Sequence, residues 1–263
     1  MRIVPARNGW SWLVKGFALF RKNPAMWLFL VFSYWLAVAL LGQIRYVGPA
    51  ASTVLLPAFS VSFMVMCAVL EQGGMLRPAL LVSGFRSGRS TLIVLGVLYL
   101  LSIVAVLGLS SIADAGALLV WVLSGREPPE AALVDGSVSL AMLVASAGAA
   151  PVLMAFWFAP VLAAWNRIGA VQSLFYSFFA VWRNWRAFLV YGSALFLAGA
   201  LFMAAVTVLA VMMQGKIQVL RSFALIFTLL TLPTLFASFY ASYRDVFPEN
   251  AVPAEPPPDA ASP

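Results

Sequence analysis

The stretch GAVQSLFYSFFAVWRNWRAFLVYGSALFL, residues 169–197, joins an amphipathic segment to an unbroken apolar run. Its first part places Phe175, Phe179 and Trp182 four and three residues apart, which is the spacing of one helical face. A short basic segment, Arg183–Arg186, follows before the apolar run begins. This order is typical of a helix that lies in a membrane surface and leads into a membrane-spanning helix.

The composition of the whole chain agrees with that interpretation. Of 263 residues, 63% are hydrophobic and only 10% are charged, and the mean hydropathy is +0.98. Soluble domains carry roughly 25% charged residues, so we expect an all-α polytopic membrane protein. The net charge of +7 does not indicate a nucleic-acid partner, because the basic residues lie mainly between apolar runs. There they are expected to set the topology and contact anionic lipid headgroups.

The residue types needed for most chemistry are scarce. The chain has one cysteine, Cys67, and no histidine, which removes disulfides, thiol metal clusters and the usual general base. The acids Glu71, Asp114 and Asp135 lie at the edges of apolar runs, whereas ion-coupled carriers usually keep an ionisable group inside a span. We therefore expect no catalytic residue, no cofactor and no metal site, and a protein that is not an enzyme.

Residues 1–23 form a basic segment with an amphipathic pattern. The apolar residues expected on one helical face are Leu13, Val14, Phe17 and Phe20. This helix is expected to lie in the cytoplasmic membrane surface, with Trp10 and Trp12 near headgroup depth.

The apolar runs predict a membrane domain over residues 24–247. Its six spans are expected near residues 25–41, 47–70, 91–109, 137–164, 187–213 and 219–243. Residues 110–123 either continue the third span or form a short helix at the far surface. Residues 248–263 are rich in proline and acids, which predicts a disordered tail.

The positions of the basic residues predict how the chain is threaded. Twelve of the sixteen lysines and arginines fall in the N-terminal segment, the second and fourth loops and the tail. Because cytoplasmic segments carry the excess of lysine and arginine, we expect a multi-pass protein of the bacterial inner membrane with both termini in the cytoplasm.

Similar segments precede the three odd-numbered spans. Aromatic–arginine pairs occur at Phe20–Arg21, Phe85–Arg86 and Trp182–Arg183, and the even-numbered spans share a proline, at Pro57, Pro151 and Pro233. Three copies of a two-helix unit would produce this pattern. The alternative is that every cytoplasmic edge collects aromatics and arginines.

The prolines and glycines of the spans also allow two interpretations. Prolines could break helices around a substrate cavity or merely kink them. Gly192 and Gly199 suit close helix packing.

The pattern Gly-Trp-x-Trp-Leu-x-x-Gly-Phe-x-Leu-Phe-x-x-Asn-Pro at residues 9–24, followed by six spans, resembles a family of proteobacterial inner-membrane proteins of uncharacterised role. This family is best populated in beta-proteobacteria, and the resemblance extends to about Phe247. Ser173 and Ser177 ahead of Trp182-Arg183-Asn184 also resemble the membrane domain associated with some bacterial glycerophosphodiester phosphodiesterases. Neither resemblance implies a catalytic residue.

Two functions fit these observations. The first is a non-enzymatic protein that organises or senses its lipid surroundings through basic residues at the cytoplasmic edge. The candidate contacts with anionic lipid are Arg21, Lys22, Arg86, Arg89, Arg183 and Arg186. The second is a small carrier or lipid-handling permease with a cavity between the proline-bearing helices. An open, polar cavity between spans two, four and six would favour the second function, and a solid apolar interior the first.

Overall fold

A computed structural model describes residues 1–45, 47–86, 89–125, 127–212 and 217–248. Within these ranges every regular element is a helix. The predicted tail, apart from its first residue, lies outside the described residues. The elements in chain order are α1 (Asn8–Lys22), α2 (Pro24–Gly42), α3 (Val47–Glu71), a 3₁₀ helix (Pro78–Phe85), α4 (Arg89–Asp114), α5 (Ala117–Ser124), α6 (Glu130–Val134), α7 (Ser137–Trp157), α8 (Ala159–Asn166), α9 (Ala170–Arg183), α10 (Trp185–Met212) and α11 (Ile217–Val246).

Five helical stretches of the described chain are long and apolar enough to cross a membrane: Pro24–Gly42, Val47–Glu71, Ser90–Asp114, Ser137–Asn166 and Trp185–Met212. These correspond to the first five predicted spans. The fourth combines α7 and α8.

The third span ends later than the predicted boundary near Leu109. Helix α4 continues to Asp114, and the chain then turns through Ala115 and Gly116, both of which have positive φ. The carboxylate of Asp114 accepts hydrogen bonds from the amides of Gly116 and Leu118, at 3.0 and 2.6 Å. Asp114 thus supports the first turn of a separate short helix, α5, so residues 110–114 belong to α4 and residues 117–124 do not.

Helix α11 is the counterpart of the predicted sixth span but is not among the five stretches above. Its 30 residues would be about 45 Å long. It runs antiparallel to α10. Near one end the hydroxyl groups of Tyr191 and Ser238 share a hydrogen bond of 2.8 Å, and farther along the rings of Phe202 and Phe227 stack with centroids 3.7 Å apart.

The fourth span is interrupted at Phe158, between α7 and α8. Pro160 lies in the first turn of α8, where a missing amide hydrogen and a fixed φ are tolerated. The hydroxyl of Ser177 on α9 donates to the carbonyl of Met154 and accepts from the amide of Phe158, at 2.9 and 2.8 Å. The break is therefore held by a side chain from the neighbouring helix.

Helix α1 packs along α10 and α11 with the face that carries Trp12. Trp12, expected near headgroup depth, is fully buried and contacts the rings of Phe188 and Tyr191. Val14 and Phe17 are exposed instead. The buried residues Gly9, Trp12, Gly16 and Phe20 follow a helical spacing of three and four. The sequence did not predict this packing face, because it follows from the two small residues, Gly9 and Gly16, that let α1 approach other helices closely.

The glycines predicted to mediate close packing are not the ones that do so. A Cβ atom at Gly192 or Gly199 would meet nothing within 4 Å. A Cβ atom at Gly16 would lie 2.6 Å from both the amide nitrogen of Ser238 and the carbonyl oxygen of Thr234. Close helix contact thus occurs between α1 and α11.

Candidate functional site

Helix α9 exposes its aromatic residues and buries its serines. Phe175, Phe179 and Trp182 are 59%, 40% and 60% exposed, while Ser173 and Ser177 are fully buried. The serine hydroxyls are satisfied inside the protein, Ser173 by the carbonyl of Ala170 at 2.7 Å and Ser177 by the broken fourth span. An exposed aromatic stripe on a surface helix is suited to the membrane interface, where aromatic rings are enriched.

The predicted lipid-contacting residues lie at the ends of the surface helices. Arg21 and Lys22 occupy the last turn of α1, Arg86 directly follows the 3₁₀ helix, and Arg183 occupies the last turn of α9. Arg186 lies in the first turn of α10, and Arg89 begins α4. The side chains of Arg21, Lys22, Arg86, Arg183 and Arg186 are exposed; that of Arg89 lies outside the description.

Several of these cations have neighbours within the protein. The guanidinium of Arg21 lies 5.8 Å from the ring centroid of Phe17, and that of Arg186 lies 5.5 Å from the ring centroid of Trp185. Lys22 Nζ donates to the carbonyl of Leu70 at 2.8 Å. The side chains of Arg21, Lys22 and Arg186 are exposed despite these contacts.

Hydrogen bonds join the N-terminal segment to the residue before α10 and to the end of α11. The amide of Val4 donates to Asn184 Oδ1 at 2.8 Å, and Asn184 Nδ2 donates to the carbonyl of Arg2 at 3.2 Å. The amide of Arg2 donates to the carbonyl of Val246 at 2.8 Å. We call this end of the bundle, which carries Arg21, Lys22, Arg183 and Arg186, the basic end.

Asp245 attaches α1 to α11 at the basic end. Its carboxylate accepts hydrogen bonds from Asn8 Nδ2, Trp12 Nε1 and Lys15 Nζ, each at 2.9 Å. Asp245 was not among the predicted site residues. The available signal was an acid directly after Arg244, at the end of the last apolar run.

A second polar cluster links α3 to α11 at the same end. The carboxylate of Glu71 accepts a hydrogen bond from the hydroxyl of Tyr240, and Arg244 Nε lies 3.4 Å from Glu71 Oε2. Glu71 was predicted only to mark the inner edge of a span. In the structure Glu71 also joins α3 to α11.

A cavity of about 340 Å³ lies between α3, α4, α7, α8, α10 and α11. Its lining residues are Leu56, Pro57, Ser60, Tyr99, Leu153, Phe156, Trp157, Pro160, Tyr191, Leu195, Leu235, Phe236 and Phe239. The cavity lies where the proline-bearing helices meet, as the second predicted function requires. In the fourth span the proline that lines it is Pro160, whereas Pro151 is exposed.

The lining is predominantly apolar, and its polar side chains are Ser60, Tyr99, Trp157 and Tyr191. The hydroxyl of Tyr191 is already bonded to Ser238. Trp157 Nε1 is buried and has no hydrogen-bond partner among the described residues. Leu56 and Leu153 are 37% and 49% exposed, so the cavity is not sealed. It is neither the polar cavity expected of a carrier nor a solid interior.

Comparison with known proteins places the chain in a family. No family model matches it, and no solved structure matches it. The chain is 36% identical over 256 residues to a "Probable inner membrane protein" of Burkholderia thailandensis, covering 93% of this chain and 92% of that protein. None of these comparisons supports the weaker resemblance to the membrane domain associated with glycerophosphodiester phosphodiesterases. With this identity across nearly the full length of both chains, and with its membrane-length apolar helices, the protein belongs to the same family of inner-membrane proteins as its Burkholderia relative.

Proposed function

We propose that this protein is a non-enzymatic inner-membrane protein that binds anionic lipid headgroups at the cytoplasmic surface through the basic end. The observation that carries the proposal is the orientation of α9. Its aromatic face is directed away from the protein while its serine face is buried. Since that face has no protein partner among the described residues, lipid is the environment that would cover it.

The charges at the basic end supply the preference for anionic lipid. Each lysine or arginine close to an anionic leaflet contributes about 1 kcal/mol. Arg21, Arg183 and Arg186 are exposed beside aromatic residues, so rings at headgroup depth would bring these guanidinium groups to the level of the phosphates.

The proposed threading has six spans with both termini in the cytoplasm. Asn184, directly before α10, and Val246, at the end of α11, are both hydrogen-bonded to the N-terminal segment. Helix α10 extends about 42 Å from that point, so a chain that returns to it must cross back. This supports α11 as the sixth span, and the excess of basic residues supports the cytoplasmic location of the basic end.

The proposed three-fold repeat gains support from how each surface helix packs on a return span. Gly84 of the 3₁₀ helix contacts α3, Ser177 of α9 contacts the fourth span, and Gly16 of α1 contacts α11. Each contact involves two positions four residues apart. These pairs are Ala58 and Ser62, Met154 and Phe158, and Thr234 and Ser238.

This packing suggests a register one residue away from the alignment of Phe20 with Trp182 and, through Gly84, three residues away from the alignment of Phe20 with Phe85. It pairs Gly16 with Ser177, and then Asn23 coincides with Asn184. Both asparagines accept a backbone hydrogen bond, Asn23 from Met26 and Asn184 from Val4. Because α1 packs on the last span, the three units would close into a ring.

The test is a variant in which Arg86, Arg89, Arg183 and Arg186 are all replaced by glutamine. The remaining basic residues keep the inward charge excess, so the variant should insert normally. We expect it to retain several-fold less cardiolipin and phosphatidylglycerol on extraction in mild detergent, measured by mass spectrometry of the co-purified lipid. Replacing the same four residues by lysine is the matched control, because it keeps the charge and should keep the lipid. Equal retention by the glutamine variant would refute the proposal.

The cavity does not favour a carrier for a polar solute. Such a site needs several placed polar groups, and here the lining is mostly hydrocarbon. Of the second function, a small carrier or a lipid-handling permease, only the handling of lipid fits this cavity.

A further inference from the structure

We propose that the cavity between the proline-bearing helices binds one hydrocarbon chain of a membrane lipid, which enters it sideways from the bilayer. The proposal rests on the membrane location of the proposed function but not on the arginines of the basic end. It assigns a ligand to the space lined by Pro57, Trp157, Pro160 and Phe236.

The depth of the cavity matches the chain region of one leaflet. Each lining residue can be placed by counting residues from the end of its helix at the basic end. The smallest count is six, from Trp185 to Tyr191, and the largest is fifteen, from Glu71 to Leu56. At ~1.5 Å per residue these positions are roughly 9–22 Å from the ends of their helices. The hydrocarbon core is about 30 Å thick, so the cavity lies among the acyl chains of the leaflet at the basic end and the bilayer centre.

Water is a poor occupant of this space. A buried water molecule needs two to four polar partners, and the lining consists mainly of leucine, phenylalanine and proline. An empty cavity would deprive these side chains of dispersion contacts on one side. A lipid chain restores them.

Size and access fit a chain better than a whole lipid. The volume of about 340 Å³ is at the lower end of ligand pockets, which run from about 300 to 1,000 Å³. Leu56 and Leu153 are partly exposed, which leaves an opening between α3 and α7. The headgroup would remain outside the cavity, at the end where Arg183 and Arg186 are exposed.

The wall of the cavity contains the break in the fourth span. Leu153, Phe156, Trp157 and Pro160 lie on both sides of Phe158. The break is held by Ser177 of α9, whose other face carries the exposed aromatic rings. The surface helix that would contact headgroups is therefore in direct contact with the wall of the chain site.

The test uses the full-length protein in nanodiscs that contain phosphatidylethanolamine with a photoactivatable diazirine in the middle of one acyl chain. After illumination, we expect labelled peptides covering residues 56–60 and 153–160. Ser60→Phe fills the cavity and should lower labelling of these peptides several-fold. Ser193→Phe, at an exposed position of α10, is the matched control and should leave it unchanged.

Should Ser60→Phe fail to fold, Leu153→Trp at the opening serves the same purpose. Labelling confined to outward-facing residues, or undiminished in the folded cavity variants, would overturn the chain site. The probe lipid has no net charge, so labelling of the cavity does not depend on the arginines. If the four-glutamine variant lost anionic lipid but kept its cavity labelling, the proposed headgroup site would be distinguished from the proposed chain site.

Discussion

The backbone amide of Phe158 donates a hydrogen bond to the hydroxyl oxygen of Ser177, 2.8 Å away on a different helix. The same hydroxyl donates to the carbonyl of Met154, so one buried side chain contacts both backbone groups at the last turn of α7. Pro160, two residues later, lacks the amide hydrogen that a carbonyl one turn earlier would need. The fourth span and the surface helix α9 are thereby fixed to each other.

Replacing Ser177 by alanine should weaken this junction. The amide of Phe158 loses its side-chain acceptor in a buried setting, which costs about 1–3 kcal/mol. Thermal unfolding in detergent, followed by circular dichroism, should show a lower midpoint. Ser173→Ala is the matched control, since Ser173 is equally buried on α9 but bonds only within its own helix. If the two variants lost equal stability, the contact between helices would not be the cause.

Replacing Asp245 by alanine should loosen α1 from the bundle. Three donors lose their acceptor, one of them the indole of the fully buried Trp12. Hydrogen bonds to a charged group contribute about 1.5–3 kcal/mol each, although not additively, so we expect a loss of roughly 2–4 kcal/mol.

Faster hydrogen exchange of the α1 amides would report this loosening directly. Lys15→Ala removes one partner of the same carboxylate, but Lys15 is 52% exposed. An exposed ion pair contributes under about 1 kcal/mol. A larger effect from Lys15→Ala than from Asp245→Ala would contradict the central position of the carboxylate.

Gly16 and Gly192 should respond in opposite directions to alanine. At Gly16 the added methyl group meets backbone atoms of α11, which cannot rotate away as a side chain can. Overpacking of this kind costs about 1–3 kcal/mol. At Gly192 the methyl group meets nothing within 4 Å, and the better helix propensity of alanine should add up to ~1 kcal/mol. Melting temperatures of the two purified variants test this, and a tolerated Gly16→Ala would show that α1 and α11 are not in close contact.

Reporter fusions should establish the threading. Fusions after Glu71, Arg167 and Phe247 should behave as cytoplasmic, and fusions within residues 126–135 as periplasmic. The physical reason is the excess of basic residues on one side of the membrane together with the return of α11 to the N-terminal segment. A periplasmic signal after Phe247 would leave five spans, and one after Arg167 would overturn the order of the earlier spans.

The sequence by itself determined that the protein is helical, lies in a membrane and crosses it several times. These are local properties: an apolar run of sufficient length must satisfy its backbone hydrogen bonds within itself when no water is present. The same reasoning located the first five helices that are long and apolar enough to cross a membrane.

Only the tertiary structure decided which face of each surface helix is buried. In a soluble protein the apolar stripe of α9 would face inward, but in a membrane the apolar face can meet lipid, so hydrophobicity no longer distinguishes inside from outside. The buried face is instead the one that allows close backbone approach or provides hydrogen bonds to buried polar groups. Gly16 lets the backbone of α11 come close, and Ser177 hydrogen-bonds to the backbone of the fourth span. Whether a glycine or serine does this depends on a partner distant in the chain, which is why Gly192 was chosen wrongly and the buried face of α1 was not predicted. The cavity has the same origin, because it is the space left between helices whose prolines are visible in the sequence but whose packing is not.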